Sequence, residues 1–413
     1  MKGKGPGISA FAAALLAAMS GSAVAEENLR EALLKGKPIV DLRIRHEHME
    51  QDGLANNAEA WTGRARLGYE TGSFRAFSAL ADFDLVGHVG PERFNNTVNG
   101  RTTYPIVADP DVAELNRLQI SWAGFPDTVV TLGRQRIVHG YGRFVGNFSF
   151  RQNEQTFDAL RITNSSVDGL SLDYAYVNRV NRPISARNPI GRLRGDTHLF
   201  NANYSGLGFL TLGTYAYLLD FNETPGASTQ TYGLRTSVPV ALGEETKLTL
   251  TGEYAAQRDY AGNPKEFDLD YYHADVQFAL GAFGLYVAYD VREGDSTRAF
   301  SMPIGTGLGF NNWSDVFSSA PAAVVNGLKD FHVGATYEIT GIPAVEKLLL
   351  STTWYDFTAE RGGADMGNEL FLSATFFLTK NMSLDLKHTT YNGTGTGLYA
   401  DRHRSWVSLT YVY

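Results

Sequence analysis

Period-two alternation, repeated along most of the chain, is the feature that most narrows what this sequence can become. Tyr272, Ala274, Val276, Phe278 and Leu280 alternate with His273, Asp275 and Gln277. Phe331, Val333, Ala335, Tyr337 and Ile339 alternate with His332, Gly334, Thr336 and Glu338, and Leu248, Leu250, Gly252 and Tyr254 with Lys247, Thr249, Thr251 and Glu253. Successive side chains of a strand point to opposite faces, so each segment has one apolar and one polar side. Such segments number about 18, of roughly ten residues each, a size known for bacterial single-chain barrels whose strands show one face to lipid and the other to water. They centre near residues 43, 65, 79, 119, 132, 159, 174, 202, 214, 234, 251, 275, 288, 334, 352, 373, 386 and 409. The expected fold class is all-β, a transmembrane antiparallel β-barrel with short periplasmic turns and long extracellular loops.

The links alternate in length as that architecture requires. Short ones fall at Thr71-Gly72, Ser205 to Gly208, Gly281-Ala282 and Lys380-Asn381. Long ones span Val86 to Glu114, His139 to Glu154, Arg179 to Thr197 and Glu293 to Leu328. An even strand number puts both termini in the periplasm. The chain ends in a strand, with Val407, Leu409, Tyr411 and Tyr413 on one face. This resembles the C-terminal signal of bacterial outer-membrane proteins and implies handling by the barrel-insertion machinery.

Residues 1–25 read as a secretory signal peptide, with Lys2 and Lys4, an apolar run around Phe11 to Met19, and a small-x-small end at Ala23-Val24-Ala25. That run is too short to span a bilayer as a helix, which needs about 20 residues. Residues 26–413 are expected to form a single barrel domain in the bacterial outer membrane, with outer-membrane lipid and lipopolysaccharide as its surroundings. Glu27 to Gly36, with Leu29, Leu33 and Leu34 at helical spacing, reads as a brief helical turn on the periplasmic side. Cysteine is absent, which removes disulfides, thiolate metal sites and a Cys nucleophile. Without the leader the chain has 34 basic and 44 acidic residues, a balance that argues against nucleic acid as a partner.

Charge is unevenly placed. From Glu26 to Arg194 there are 21 basic and 20 acidic residues, and from Gly195 onward 13 and 24; 19 of the 26 arginines lie at or before Arg194. Arg134, Arg136, Arg143, Arg151 and Arg161 cluster between Gly133 and Ile162 against Glu154 and Asp158. In the first strand Val40, Leu42 and Ile44 face lipid while Asp41, Arg43, Arg45 and Glu47 face inward. Trp61, Ala65, Leu67 and Tyr69 likewise oppose Arg64 and Arg66. Val130 and Leu132 share a face with Arg134 and Arg136, and an arginine at mid-membrane costs roughly 2–4 kcal/mol. The cheaper arrangement turns Val130 and Leu132 inward and places Arg134 and Arg136 in the lumen; a bulge near Gly133 is the alternative. Arginine binds carboxylates in bidentate fashion. The set therefore reads either as a pore lining that favours anions or, residue by residue, as ladders paired with Asp41, Glu47, Glu70, Asp82, Asp84 and Asp158. The loop Arg179 to Arg194 is expected on the surface.

Gly133-Arg-Gln-Arg-Ile, Arg143-Phe-Val-Gly146 and Arg151-Gln-Asn-Glu-Gln-Thr-Phe-Asp158 resemble the signature of the alginate-export family of outer-membrane porins. The resemblance implies an 18-stranded monomeric barrel passing an acidic polysaccharide, with Arg134, Arg136, Arg151 and Arg161 lining the pore and Glu154 and Asp158 positioning them. The functional expectation is an outer-membrane channel for anionic polysaccharide or smaller anionic saccharides, not an enzyme and without a cofactor. The alternatives are a general diffusion porin, or a barrel enzyme or adhesin acting through its loops. Other chemistry is weaker. His46 and His48 share a rim face apart from Glu47, a poor metal set. His388, Thr389 and Asn392 include no serine nucleophile. Asp109 and Asp111 read as solvated loop acids, and Gly305 to Gly309 lacks the strand-to-helix setting of a phosphate cradle.

Overall fold

The computed structural model describes residues 29–308, 312–319, 321–395 and 397–413, so the expected leader lies outside the described residues. The first nine strands are β1 (Lys37–Gln51), β2 (Ala58–Glu70), β3 (Phe77–His88), β4 (Val112–Phe125), β5 (Thr128–Gln135), β6 (Thr156–Asn164), β7 (Leu170–Asn181), β8 (Arg192–Tyr204) and β9 (Thr211–Leu219). The remaining nine are β10 (Thr229–Ala241), β11 (Thr246–Asp259), β12 (Asp268–Leu280), β13 (Phe283–Arg292), β14 (Leu328–Ile339), β15 (Lys347–Thr358), β16 (Asp365–Thr379), β17 (Met382–Asn392) and β18 (Arg402–Val412). All 18 belong to one antiparallel sheet, and β1 pairs with both β2 and β18, which closes it. Each expected strand centre lies inside a strand. A short helix, α1 (Leu29–Leu34), precedes β1.

Alternation decides which side each residue takes. Leu42, Ile44, Leu67, Phe83, Leu85, Leu118, Ile120, Leu409 and Tyr411 are exposed on the outside. Arg45, Glu47, Arg64, Arg66, Asp82, Asp84, Arg404 and Trp406 are buried on the inside. The closing ladder runs from Asp41 opposite Val412 to Gln51 opposite Arg402, so Ile44 meets Leu409 on the outer face. This outer apolar band is the part that meets lipid chains.

Two local expectations need correction. Leu132 does not turn inward: it stands opposite Ile120 and Leu160 and is 41% exposed, on the apolar outer side. Thr131 takes the inner side, with its hydroxyl 3.0 Å from Ser121 Oγ. No register shift between β4 and β5 occurs at Gly133, whose φ of 120° is instead a glycine-only conformation. A Cβ there would lie 2.2 Å from the Leu118 carbonyl oxygen. Beyond this kink Arg134 keeps the parity of Leu132, with its charge matched by a carboxylate described below. The second correction is at β8, which starts at Arg192 inside the stretch read as loop, because Leu193 is buried against the wall and pairs with Val180.

Outer links are the long ones: residues 89–111, 136–155, 182–191 and 293–327 lie between odd and even strands, while the other rim has tight turns such as 126–127, 281–282 and 380–381. Outward Leu409, flanked by Ile44 and Leu384, gives a direct check of which face meets lipid. Leu409→Arg should lower stability by about 2–4 kcal/mol in reversible unfolding from phospholipid vesicles. Thr410→Arg, of inward parity, should cost much less; equal costs would contradict the assigned faces.

Candidate functional site

Two of the long outer loops fold into the barrel. Loop A, residues 136–155, leaves β5 and reaches β13, eight strands along an 18-strand wall and therefore nearly opposite. At its tip Arg143 Nη2 lies 2.8 Å from Asp290 Oδ1, and the guanidinium sits 5.1 Å from the Tyr271 ring centre. Phe144 beside it packs among Tyr215, Tyr217, Tyr271 and Phe300. Ile137, Phe144, Val145 and Phe157 join residues of β7, β8, β9 and β12 in one apolar cluster inside the barrel. Burial of this cluster drives the loop inward, and polar contacts set where it lies.

Loop B, described at residues 293–308, 312–319 and 321–327, meets loop A backbone to backbone. Gly146 N donates to the Ile304 carbonyl at 3.0 Å, and Thr306 N donates to the Gly142 carbonyl at 2.9 Å. Gln155 Nε2 donates to the Ile304 carbonyl at 2.8 Å. Trp313 of loop B stacks on Phe371 with centroids 4.3 Å apart, and it also meets Phe150 of loop A.

The return limb of loop A is tied to β1 and β2. Arg43 Nη1 donates to the carbonyls of Ser149, Phe150 and Arg151 at 3.3, 3.1 and 3.4 Å. Arg64 Nη1 donates to the Gln152 carbonyl at 3.3 Å and its other end pairs with Asp41. Gln152 Nε2 donates to Thr62 Oγ1 at 2.9 Å. Buried Arg151 lies 3.5 Å from Glu47, 3.8 Å from Asp109 and 3.7 Å from Asp315; Asp109 is thus not the solvated loop acid expected but is buried, accepting from Gln152 N at 2.8 Å. Glu47 is shared with Arg404, whose Nε donates to it at 2.7 Å. Glu154 takes Arg66 at 3.0 Å, Arg136 at 2.7 Å and the amides of Asn116 and Asn147, both at 2.8 Å. Burial pushes the Glu154 carboxyl up, but Arg66 and Arg136 outweigh it and hold it at about 2.

Arg134 and Arg161, also singled out from the sequence, are paired as well. Arg134 forks onto Asp158, with Nε to Oδ1 at 2.6 Å and Nη2 to Oδ2 at 3.1 Å, and Arg179 approaches the same carboxylate at 3.4 Å. Arg161 takes Asp173, with Nε to Oδ1 at 2.9 Å. The arginine run thus does not converge on one open surface; its members go to separate carboxylates spread over loops and walls. Arg43, Arg45 and Lys387 differ, having no carboxylate partner within 4.0 Å among the described residues. Arg45 donates to Ser408 Oγ at 3.0 Å and lies 4.2 Å from the Phe150 ring centre. Lys387 Nζ lies 5.4 Å from the ring centre of Phe150 and 5.0 Å from that of Trp313. Sequence reading missed Lys387, Asp290, Phe150 and Trp313. Strand parity gives a signal for Lys387, two residues from Asp385 on the inward side of β17, but nothing local marks Asp290 as the partner of Arg143.

No family model and no curated protein matches this chain. Solved structures do. Pseudomonas aeruginosa OccK3 (OpdO) superposes with a TM-score of 0.71 at 16% identity, covering 93% of this chain and 97% of that one. Acinetobacter baumannii OccAB2 gives 0.73 at 15%, covering 93% and 99%. Pseudomonas aeruginosa OccK9 (OpdG) gives 0.72 at 15%, covering 92% and 99%. The fold is the closed 18-strand antiparallel barrel shared with these outer-membrane proteins. The resemblance to alginate exporters is overturned, since these neighbours are Occ-type porins. Residues 133–158, which carried that resemblance, are taken up here in fixing loop A to the wall.

Loop A should respond to loss of either end of its far contact. Breaking a buried ion pair from one side costs up to about 3–5 kcal/mol; here His273 at 3.2 Å and Tyr271 Oη at 2.6 Å stay with Asp290 and reduce that cost. Arg143→Ala and Asp290→Ala should each raise amide hydrogen exchange across residues 139–148, and the double variant should cost less than the sum of the two. The pH response has a defined sign. A depressed carboxyl stabilises above its unfolded value and loses that contribution as pH falls toward its folded value. Protection of residues 147–155 should therefore hold from neutral pH to about pH 5 and decay only as pH falls from there toward 2, with Glu154→Gln removing that step.

Proposed function

We propose that the protein is a passive channel of the bacterial outer membrane for small solutes, with loops A and B setting the width of the passage. The observation that carries this reading is loop A itself, running from β5 to Asp290 on the far wall and bonded there to loop B. In this reading a backbone laid across the lumen and held at both ends narrows the passage to one that admits small molecules and obstructs a polymer chain. Residues 26–413 act in this reading as one barrel domain, and the solute gradient drives transport with no bond chemistry.

Selectivity follows from which cations lack a matched carboxylate. Arg66, Arg134, Arg151 and Arg161 are neutralised by close acids and contribute little net field at the passage. Arg43 and Lys387, both half-buried and beside Phe150, keep their charge uncompensated within contact range. We therefore assign a modest anion preference to the side of the passage formed by β1 and β17, and near-neutral behaviour to the β5–β6 side that first drew attention. Charged groups lining a pore set its ion preference in this way.

Planar-bilayer recording tests both parts. Reversal potentials in a salt gradient should show mild anion preference, and Arg43→Ala with Lys387→Ala should reduce it, while Arg134→Ala should leave it nearly unchanged. Cation preference in the unaltered protein would defeat the assignment. Proteoliposome swelling should be rapid with monosaccharides and small acids and absent with long acidic polysaccharide; entry of the polymer would contradict the role given to loop A.

A further inference from the structure

Two carboxylates face each other across one rung of the inner wall. Asp290 on β13 stands opposite Asp330 on β14, and both are buried, as is His332 two residues further along β14. Phe331 between them is 40% exposed on the lipid side, so Asp330 and His332 share the inner face. One ligand atom from each of Asp290, Asp330 and His332 lies within 4.8 Å of the other two. Like charges directly opposite on adjacent strands repel, and buried carboxylates need a cation beside them. At Asp290 the partners all go to one oxygen. Oδ1 accepts from Tyr271 Oη at 2.6 Å and has Arg143 Nη2 at 2.8 Å and His273 Nδ1 at 3.2 Å. Oδ2 is buried and has no hydrogen-bond partner among the described residues.

The cation that pairs with Asp290 comes from a loop. Arg143 belongs to the tip of loop A, whereas Arg292, the next inward residue of β13, forms no ion pair with either acid among the described residues. Loops open at lower cost than the strands of a wall, so the guanidinium can be withdrawn while the wall residues stay in place. The ring of His332 is held by Asp330, whose Oδ1 is 3.0 Å from Nδ1, and by Tyr355, whose ring centre is 5.0 Å away. Two carboxylates and an imidazole are a donor set for a first-row transition dication, since magnesium and calcium take oxygen ligands alone. We propose that Asp290, Asp330 and His332 form a binding site for a divalent transition-metal ion such as zinc, and that the ion competes with Arg143 for Asp290. Occupation of the site frees the tip of loop A from β13.

Direct binding tests this on the full chain, folded in detergent and stripped of metal with a chelator. The readout needs no conductance, so its failure leaves the channel reading untouched. Equilibrium dialysis against zinc, followed by elemental analysis, should find one ion more per chain in the unaltered protein than in the double variant Asp330→Asn with His332→Ala. Equal stoichiometry in the two overturns the site. Arg143→Ala keeps all three ligands and removes the competitor, so it should bind zinc more tightly by roughly tenfold. Unchanged or weaker affinity overturns the competition, and this variant still decides that point if the double variant does not fold. Binding seen in Arg143→Ala alone overturns the proposal for the native chain. Zinc should also raise amide hydrogen exchange across residues 139–148 of the unaltered protein; exchange that stays the same with zinc bound overturns the release of loop A.

Discussion

A backbone placed in hydrocarbon has no water to satisfy its N–H and C=O groups, and the pairing of β1 with β18 is how this chain meets that constraint. Every other feature depends on it. Closure removes the sheet edge, gives each strand one lipid face and one inner face, and creates an interior into which charged residues can be placed without contact with lipid. Arg45, Glu47, Arg64, Arg66 and Arg404 all lie near this seam, on the inner side. Their ionic links across β18, β1 and β2 follow from closure, because Glu47 and Arg404 are 357 residues apart in sequence.

The interior is then organised by loops. Loop A inserts an apolar tip around Phe144 and a buried charge at Arg143, and the wall answers with Tyr271 and Asp290. On its return the same loop uses carbonyls of Ser149, Phe150 and Arg151 to occupy Arg43. Most of the charge inside thus either positions backbone, as Arg43 does, or is matched by a carboxylate. A segment rich in arginine therefore need not make the barrel interior strongly cationic.

The strand count and the lipid-facing side of most strands were legible because period two repeats in nearly every strand, and each repeat reads the same physical contrast between lipid and water. Leu132 shows where that reading fails: weighing Arg134 against lipid assumed an uncompensated arginine, whereas Asp158 on the neighbouring strand matches it. Register to a neighbour is not written in a single strand. Arg143 and Asp290 are further from legibility, being brought together by closure and by an inward loop, neither of which leaves a local pattern. The resemblance carried by residues 133–158 was misleading for a related reason. A short stretch of arginines and carboxylates records how a loop is fastened, and says little about what the finished pore transports.

Loop A is joined to loop B by hydrogen bonds inside the lumen, and its far end is fixed to β13 while its roots lie on β5 and β6. Mechanically this is a cross-brace on a thin-walled tube. A bare 18-strand wall under lateral pressure from the bilayer can flatten toward an ellipse at little cost in hydrogen bonds. With a brace fixed at nearly opposite points, flattening along that diameter must compress packed side chains, which resist it strongly. The shape of the barrel along that diameter is therefore held by the folded loops and resists the tension of the membrane around it.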